Sequence, residues 1–147
     1  MGFEDVIDMV LSMITDYDMV EWTDDDIYTE FASKVNIVIA KAGFEEFSFD
    51  TDMNSFVDLD GLDYELSILE ANIIAHGLVM QWIYPKVHNT EILEYQLTNK
   101  EFTAFSNANR INSMIQLQKN AQAEFYYLVN NYDFLKQKAE WKEERDK

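Results

Sequence analysis

The chain has 147 residues, no cysteine and a formal net charge of −17. Its length fits one domain, and its contents of 48% hydrophobic and 14% aromatic residues are too high for a disordered chain. The absence of cysteine excludes disulfides, thiolate metal sites and cysteine nucleophiles. With one proline and four glycines there are few positions that break helices, which favours an all-α fold.

The negative charge is concentrated in the first half of the chain. Residues 1–70 contain 19 acidic side chains and two lysines, a balance of −17, whereas the 9 acidic and 9 basic side chains of residues 71–147 cancel. A field of this sign repels nucleic acid and anionic membranes and attracts basic partners. We therefore expect no direct sequence-specific binding to nucleic acid. The acidic start and the short apolar runs predict neither a secretion signal nor a membrane span.

The first segment, FEDVIDMVLSMITDY, has one apolar helical face. Such a helix can pack on the core of its own chain, which is the commoner case, or dock on a neighbouring molecule. The face consists of Phe3, Ile7, Val10, Ile14 and Tyr17.

The second predicted helix has clear signals at both ends. Thr23 can cap its start, and the aspartates at 24–26 fit the positive end of the helix dipole better than they fit a metal site. Gly43 is the left-handed residue that commonly ends a helix. Its buried stripe is predicted to be Ile27, Phe31, Val35, Val38 and Ala42.

The connection that follows contains the acidic stretch DTDMNSFVDLDG, residues 50–61, which has the alternating oxygens of a calcium-binding EF-hand loop. Two requirements fail, because position six is Ser55 instead of glycine and position twelve is Gly61 instead of glutamate. We interpret the stretch as an acidic crossing that packs on the helices through Met53, Ser55 and Val57 or their neighbours. A short strand near residues 47–49 fits its period of two.

The third predicted helix runs from Asp60 to Tyr84, capped by Asp60 or Asp63 and stopped by Pro85. It is apolar nearly all round, which is typical of a central helix. A shorter helix, NTEILEYQL, is predicted to follow it, with Asn89 or Thr90 as the cap. The main stripe of the third helix is Leu62, Leu66, Leu69, Ile73, Gly77, Met80 and Ile83.

The last long helix is predicted to open near Ser106 and to keep a regular apolar seam suited to antiparallel packing or to a partner helix. The charged tail KQKAEWKEERDK is predicted to fray, and its Trp141 is a candidate anchor for another chain. The seam consists of Ile111, Met114, Gln118, Ala121, Phe125, Leu128, Tyr132 and Leu135.

These patterns predict an all-α, single-domain helical bundle of four or five helices, with one long irregular acidic connection. Residues 1–135 form the helical domain and residues 136–147 the charged C-terminal tail. The two histidines, His76 and His88, have no metal-ligating or catalytic companion at a fixed spacing, and no phosphate-binding or nucleophile motif is present. We expect no enzymatic activity and no cofactor.

Two segments carry a resemblance to a known family. The first is a predicted helix that ends with Trp82 and Pro85, in the segment GLVMQWIYPKVHNTEIL. The second is a long predicted helix that ends with Tyr132 and Phe134, in the segment FTAFSNANRINSMIQLQKNAQAEFYYLVNNYDF. Over about residues 60–135 the chain is similar to small helical head–tail connector, or neck adaptor, proteins of tailed bacteriophages. The resemblance implies a ring of identical subunits in the virion neck, without catalysis, with the portal and tail-side neck proteins as further partners. It implies no residue-level binding site.

The leading hypothesis is therefore a virion structural protein of the head–tail interface. The main alternative is an acidic inhibitor that mimics DNA and blocks a host nucleic-acid-binding protein, and a third hypothesis is a calcium-dependent module that uses residues 50–61. For the leading hypothesis the predicted interface residues are Phe3, Ile7, Val10, Trp82, Tyr132, Phe134 and Trp141.

Overall fold

The computed structural model describes residues 1–14, 24–96 and 105–145. These residues are mostly helical, which confirms the prediction of a helical domain. In chain order the elements are α1 (Phe3–Ile14), α2 (Asp24–Ala42), β1 (Phe47–Asp50), β2 (Ser55–Asp58), α3 (Ile68–Gln96) and α4 (Phe105–Arg145).

Helix α3 is the centre of the fold, as its all-round apolar sequence predicts. Helices α1, α2 and α4 each pack against it. Burial on several sides of one helix removes water from most of its apolar surface, and this burial is the main stabilising contribution to the fold. Its most deeply buried side chains are Ala71, Ile73, Ile74, Ala75, Leu78, Val79 and Ile83.

The predicted apolar faces of α1 and α2 are confirmed wherever their residues are described. Phe3, Ile7, Val10 and Ile14 are buried, as are all five predicted stripe residues of α2. Gly43 ends α2 with a left-handed φ of 77°. Tyr17 and Thr23 lie outside the described residues.

The predicted start of α3 is wrong. The helix begins at Ile68 instead of Asp60, and Leu62, assigned to its buried stripe, is exposed. Neither Asp60 nor Asp63 caps it. Ser67 does so in a reciprocal arrangement in which Ser67 Oγ accepts a hydrogen bond from the Glu70 amide at 3.1 Å and a Glu70 carboxylate oxygen accepts one from the Ser67 amide at 2.9 Å.

The predicted end of α3 is also wrong, because the helix continues through Pro85 to Gln96. Residues 89–96 of the segment NTEILEYQL belong to α3, so Asn89 and Thr90 lie inside a helix and not at the start of one. Pro85 is exposed. On that side the Gln81 carbonyl, which loses its usual amide partner, can bond to water, and the helix need not end there.

Helix α4 starts at Phe105, one residue before its predicted start, and is 41 residues long. Its seam packs on α3 with Ala121 and Phe125 buried and four residues half-buried, whereas Leu135 is exposed. The side chain of Ile111 lies outside the described part. The tail predicted to fray is helical as far as Arg145. The half-buried members are Met114, Gln118, Leu128 and Tyr132.

The connection between α2 and α3 is a β-hairpin instead of an irregular segment. The strand predicted near residues 47–49 is confirmed as β1, and β2 pairs with it in antiparallel register from Phe47 opposite Asp58 to Asp50 opposite Ser55. Phe47, Phe49 and Phe56 are buried, while Met53, expected in the core, is exposed at the turn. Asn54 has a left-handed φ of 49°, a conformation that asparagine tolerates better than most residues.

Candidate functional site

The predicted interface residues separate into two groups. Phe3, Ile7, Val10 and Trp82 are buried in the core of their own chain, because α1 packs on α3 and Trp82 lies on that central helix. These four side chains therefore offer no surface to a partner in this structure, and only the exposed members of the predicted interface are accessible in the single chain. Phe134 and Trp141 are 62% and 64% exposed. Tyr132 is half-buried, so its exposure is intermediate between those of the two groups.

Tyr132 is held by a buried carboxylate at the start of α3. Glu70 is only 4% exposed, and its carboxylate accepts hydrogen bonds from the hydroxyls of Tyr64 at 2.9 Å and Tyr132 at 3.2 Å, as well as from the Ser67 amide. Three donors satisfy a charge that would otherwise be costly to bury. We call these four residues, Ser67, Glu70, Tyr64 and Tyr132, the Glu70 cluster.

The Glu70 cluster changes the ionisation of both tyrosines. Burial, followed by the negative charge of Glu70, raises the pKa of Tyr132 to about 12. Burial and the hydrogen bond to Glu70 also raise the pKa of Tyr64 well above its usual range. Both phenols therefore stay protonated and keep donating to Glu70 at neutral pH. With its acceptor positions occupied by structural donors, the cluster is suited to fixing α4 on α3 and not to proton transfer.

Aromatic contacts strengthen the attachment of α4 at the same point. The Tyr132 ring meets Phe44 edge-on at 5.1 Å, Phe44 lies 4.9 Å from Phe47, and Phe47 stacks on Tyr64 at 4.6 Å between ring centroids. One turn further along α4, the Lys136 ammonium forms an exposed ion pair with Glu46 at 2.9 Å. These contacts fix the position at which α4 leaves the bundle.

Beyond this position α4 makes little contact with its own chain. Every described residue from Asp133 to Arg145 is exposed. These 13 residues continue for about 20 Å at 1.5 Å per residue, and they carry Phe134, Leu135 and Trp141 on their surface. We call residues 133–145 the projecting end of α4.

The acidic stretch 50–61 uses two of its aspartates to shape turns. Asp50 Oδ1 accepts from the amides of Asp52 and Met53, and Asp58 Oδ1 accepts from those of Asp60 and Leu62. The register places Asp50 at the turn end of the hairpin and Asp58 at the other end, about 10 Å away over three residues of strand. A single calcium ion needs its ligands within about 2.6 Å, so this geometry does not form an EF-hand shell.

The histidines and the other acids form no metal-holding group within the described ranges. Among those residues, no three His, Asp or Glu side chains are grouped so that they could hold a metal ion. His76 is half-buried, and its Nδ1 lies 2.8 Å from the carbonyl oxygen of Asn72 one turn earlier, as expected for a structural histidine. The side chain of His88 lies outside the described part of the chain.

The Glu70 cluster was not predicted from the sequence, although part of it has a recognisable signal. Ser67 and Glu70 form the pattern Ser-x-x-Glu before an apolar run, which is the signature of a capping box. No local pattern links Glu70 with Tyr132, because the two residues lie 62 positions apart.

None of the helices in the described ranges is both long enough and apolar enough to cross a membrane. Comparison of the chain with family models, with curated proteins and with solved structures finds no match in any of the three.

Proposed function

We propose that this protein is a non-enzymatic assembly protein, a subunit of the head–tail connector ring in the neck of a tailed bacteriophage. The observation that carries the proposal is the projecting end of α4, which presents Phe134 and Trp141 on a helix that its own chain does not cover. Exposed aromatic side chains on an ordered helix are typical anchors of protein–protein contacts.

The attachment of α4 supports an assembly role for its end. The Glu70 cluster and the Phe44 contact hold Tyr132 at the edge of the bundle, so the residues that follow are presented in a defined direction. A helix that is already ordered loses less conformational entropy when it binds than a disordered tail does. The projecting end is therefore prepared for a contact with another subunit, with the portal or with a tail-side neck protein.

The charge distribution is compatible with a ring through which DNA passes. The excess negative charge lies in residues 1–70, and a negative lumen would repel the phosphate backbone and allow DNA to slide without binding. Exposed carboxylates of the first half include Glu4, Asp5, Asp8, Asp52 and Asp60.

The same net charge of −17 keeps the DNA-mimic inhibitor as a second candidate function. A mimic needs carboxylates spaced like phosphates on an exposed surface. Here Asp50 and Asp58 are engaged in turns and Glu70 is buried, so these three acids do not contribute to such a surface. The projecting aromatic residues have no role in mimicry, which favours the assembly proposal.

Light scattering on a sizing column over a wide concentration range, with negative-stain images of every large species, tests the proposal. A closed ring of subunits would support it. A monomer at all concentrations that also displaces duplex DNA from a DNA-binding enzyme would overturn it in favour of the inhibitor. The variant Trp141→Ala, which changes an exposed side chain, should reduce ring formation, whereas Tyr127→Ala, exposed two heptads earlier and before the projecting end, serves as the matched control.

A further inference from the structure

The projecting end of α4 has its charges sorted onto two sides. At about 100° per residue, three cations and two aromatic residues fall within an arc of about 100° that contains no acidic residue. This arc lies opposite the seam of Phe125 and Tyr132, so it points away from the bundle. We call it the basic–aromatic face, and it consists of Phe134, Lys138, Trp141, Lys142 and Arg145, all exposed.

The acids of the same segment lie on the other side of the helix. Asp133, Glu140, Glu143 and Glu144 are grouped there, beside Lys136, which pairs with Glu46. The projecting end is thus close to neutral as a whole, but its outward face is purely cationic and aromatic. Such a face fits a partner surface that combines carboxylates with exposed apolar side chains.

A surface of that kind is present on the same molecule, in the turn that follows β2. Leu59 and Leu62 are 81% and 65% exposed, and Asp60, Asp63 and Glu65 are exposed between and after them. We call residues 59–65 the acidic–leucine turn. It contains no basic residue.

The acidic–leucine turn is ordered by its own hydrogen bonds. The Asp58 amide donates to the Leu62 carbonyl at 2.8 Å, the Gly61 amide donates to the Asp58 carbonyl at 3.0 Å, and Gly61 has a φ of 79°. The turn is also tied back to the sheet, because the Tyr64 amide donates to the Phe56 carbonyl at 2.9 Å. Two exposed leucines on such an ordered turn form an apolar surface, and contact with a partner would remove this surface from water.

We infer that the basic–aromatic face of one molecule docks on the acidic–leucine turn of a second copy of this chain. Lys138, Lys142 and Arg145 would approach the carboxylates, and Phe134 and Trp141 would cover the leucines. The two surfaces are different parts of the chain, and both are exposed in the single molecule. The contact is therefore heterologous, and repetition of a heterologous contact produces a closed ring or a filament.

This inference rests on the proposed function and specifies the contact between neighbouring subunits. The occupant is a second copy because the turn supplies the charge and the apolar groups that the face lacks. Nucleic acid and anionic membranes are disfavoured as occupants because the rest of the chain, with its net charge of −17, repels both at long range.

Charge reversal on each side, followed by mixing, tests the contact. The face variant is Lys138→Glu, Lys142→Glu and Arg145→Glu, and the turn variant is Asp60→Lys, Asp63→Lys and Glu65→Lys. In either variant alone the two surfaces carry the same sign, so self-association measured by sedimentation velocity should weaken at least about tenfold relative to the unmodified protein. In an equimolar mixture each surface again meets the opposite sign, and association should return.

Two controls separate this contact from other effects. The variant Lys41→Glu with Lys119→Glu changes exposed lysines outside both surfaces and should associate as the unmodified protein does. Raising NaCl from about 50 mM to about 500 mM should weaken association of the unmodified protein by screening. Circular dichroism checks that each variant keeps its helices, and Trp141→Ala provides a face variant without a charge change.

Three results would overturn the inference. Oligomers that survive the face reversal would exclude this contact and leave the connector proposal standing. A complete absence of oligomers in the unmodified protein would count against both. Binding of a labelled DNA oligonucleotide or of anionic vesicles at low salt, lost in the face variant, would assign the basic–aromatic face to that other partner.

Discussion

Glu70 connects the start of α3 with α4 through hydrogen bonds. Its carboxylate belongs to the capping box of α3 and at the same time accepts from Tyr132 of α4, so one side chain serves local and long-range structure together. Replacement of Glu70 would leave two tyrosine hydroxyls and a helix start without their acceptor. Such losses at a buried position cost more than the net value of the individual hydrogen bonds.

The raised pKa values of the two tyrosines in the Glu70 cluster predict that the folded protein loses stability in alkali. Because the pKa of Tyr132 is raised to about 12, and that of Tyr64 is also raised, the folded state keeps these protons at pH values where the unfolded state loses them. Their contribution to the free energy of unfolding is complete below about pH 10 and is lost as the pH rises through about 12. Denaturant titrations at a series of pH values, with ultraviolet absorbance of tyrosinate, would measure this loss.

The variant Tyr132→Phe tests the same bond at neutral pH. It removes the hydroxyl that donates to Glu70 but keeps the ring against Phe44, so we expect a loss of about 1 kcal/mol in the free energy of unfolding. The variant should also lose part of the alkaline transition. Tyr127→Phe, at an exposed position, is the matched control. Equal stabilities of the two variants would contradict the proposed role of the Tyr132 hydroxyl.

Gly77 lies at a point where α2, α3 and α4 are in close contact. A Cβ at this position of α3 would clash with Val38 of α2 and lie 2.9 Å from the Phe125 ring of α4. Alanine favours a helix by about 1 kcal/mol over glycine, but the clash should outweigh this gain, and we expect Gly77→Ala to lower the free energy of unfolding by about 1–3 kcal/mol.

Chemical denaturation measures the effect of Gly77→Ala, and Val38→Ala in the same chain supplies a partial rescue by making room for the new methyl group. Gly2→Ala, with nothing within 4 Å of the added Cβ, is the control. A Gly77→Ala variant more stable than the parent would show that the three helices can separate at little cost.

At the scale of elements, the spacing of apolar residues predicted the buried faces of the helices better than capping and breaking residues predicted where the helices begin and end. The apolar stripes of α1 and α2 and the central position of α3 follow from the spacing of their apolar residues, since burial is the dominant driving force. The start of α3 was misplaced because aspartate serves helix caps and turns equally well, and Asp58 here orders a turn. Its end was misplaced because an exposed Pro85 interrupts only one backbone bond.

The packing of the hairpin on α2 and the contact between Glu70 and Tyr132 could not be predicted from sequence patterns, for a different reason. Asn36 of α2 exchanges two 3.1 Å hydrogen bonds with the backbone of Phe49, which fixes β1 against the helix. Contacts of this kind join distant segments and leave no local period. The exposed position of Trp141 was predicted from its charged surroundings. The apolar face with Phe3, Ile7 and Val10 could have packed on the core or on a partner, and the fold shows that it packs on the core.

The capping box at the start of α3 gives a prediction for that helix. Ser67→Ala removes the oxygen that accepts from the Glu70 amide, and we expect a loss of about 1 kcal/mol in the free energy of unfolding. Ser33→Ala is the matched control, because the Ser33 hydroxyl donates to a carbonyl inside α2, where alanine is a better helix former. Thermal denaturation followed at 222 nm compares the two. A Ser67→Ala melting curve that coincides with the parent's would show that another group caps α3.

At the scale of the whole molecule, the chain consists of an acidic bundle and of the projecting end of α4, which carries its acidic and basic residues on different sides. The core of the bundle is formed around α3, and the projecting end contributes almost nothing to that core. Under the proposed function, stability and assembly would therefore be carried by different parts of α4, divided at Tyr132.

This division predicts the result of shortening the chain after Leu135. The truncated protein loses exposed residues and the Lys136 ion pair with Glu46, which as a surface pair contributes at most about 1 kcal/mol. We expect its free energy of unfolding to fall by no more than that amount, while its self-association is lost because the truncation removes Trp141 and all three cations of the basic–aromatic face. Denaturant titration and sedimentation velocity on the same samples measure the two properties separately. Shortening after Val129 is the contrasting change, because it also removes Tyr132 and should destabilise the fold. A chain ending at Leu135 that still forms the oligomer would place the subunit contact outside residues 136–145, because only Asp133, Phe134 and Leu135 of the projecting end would remain.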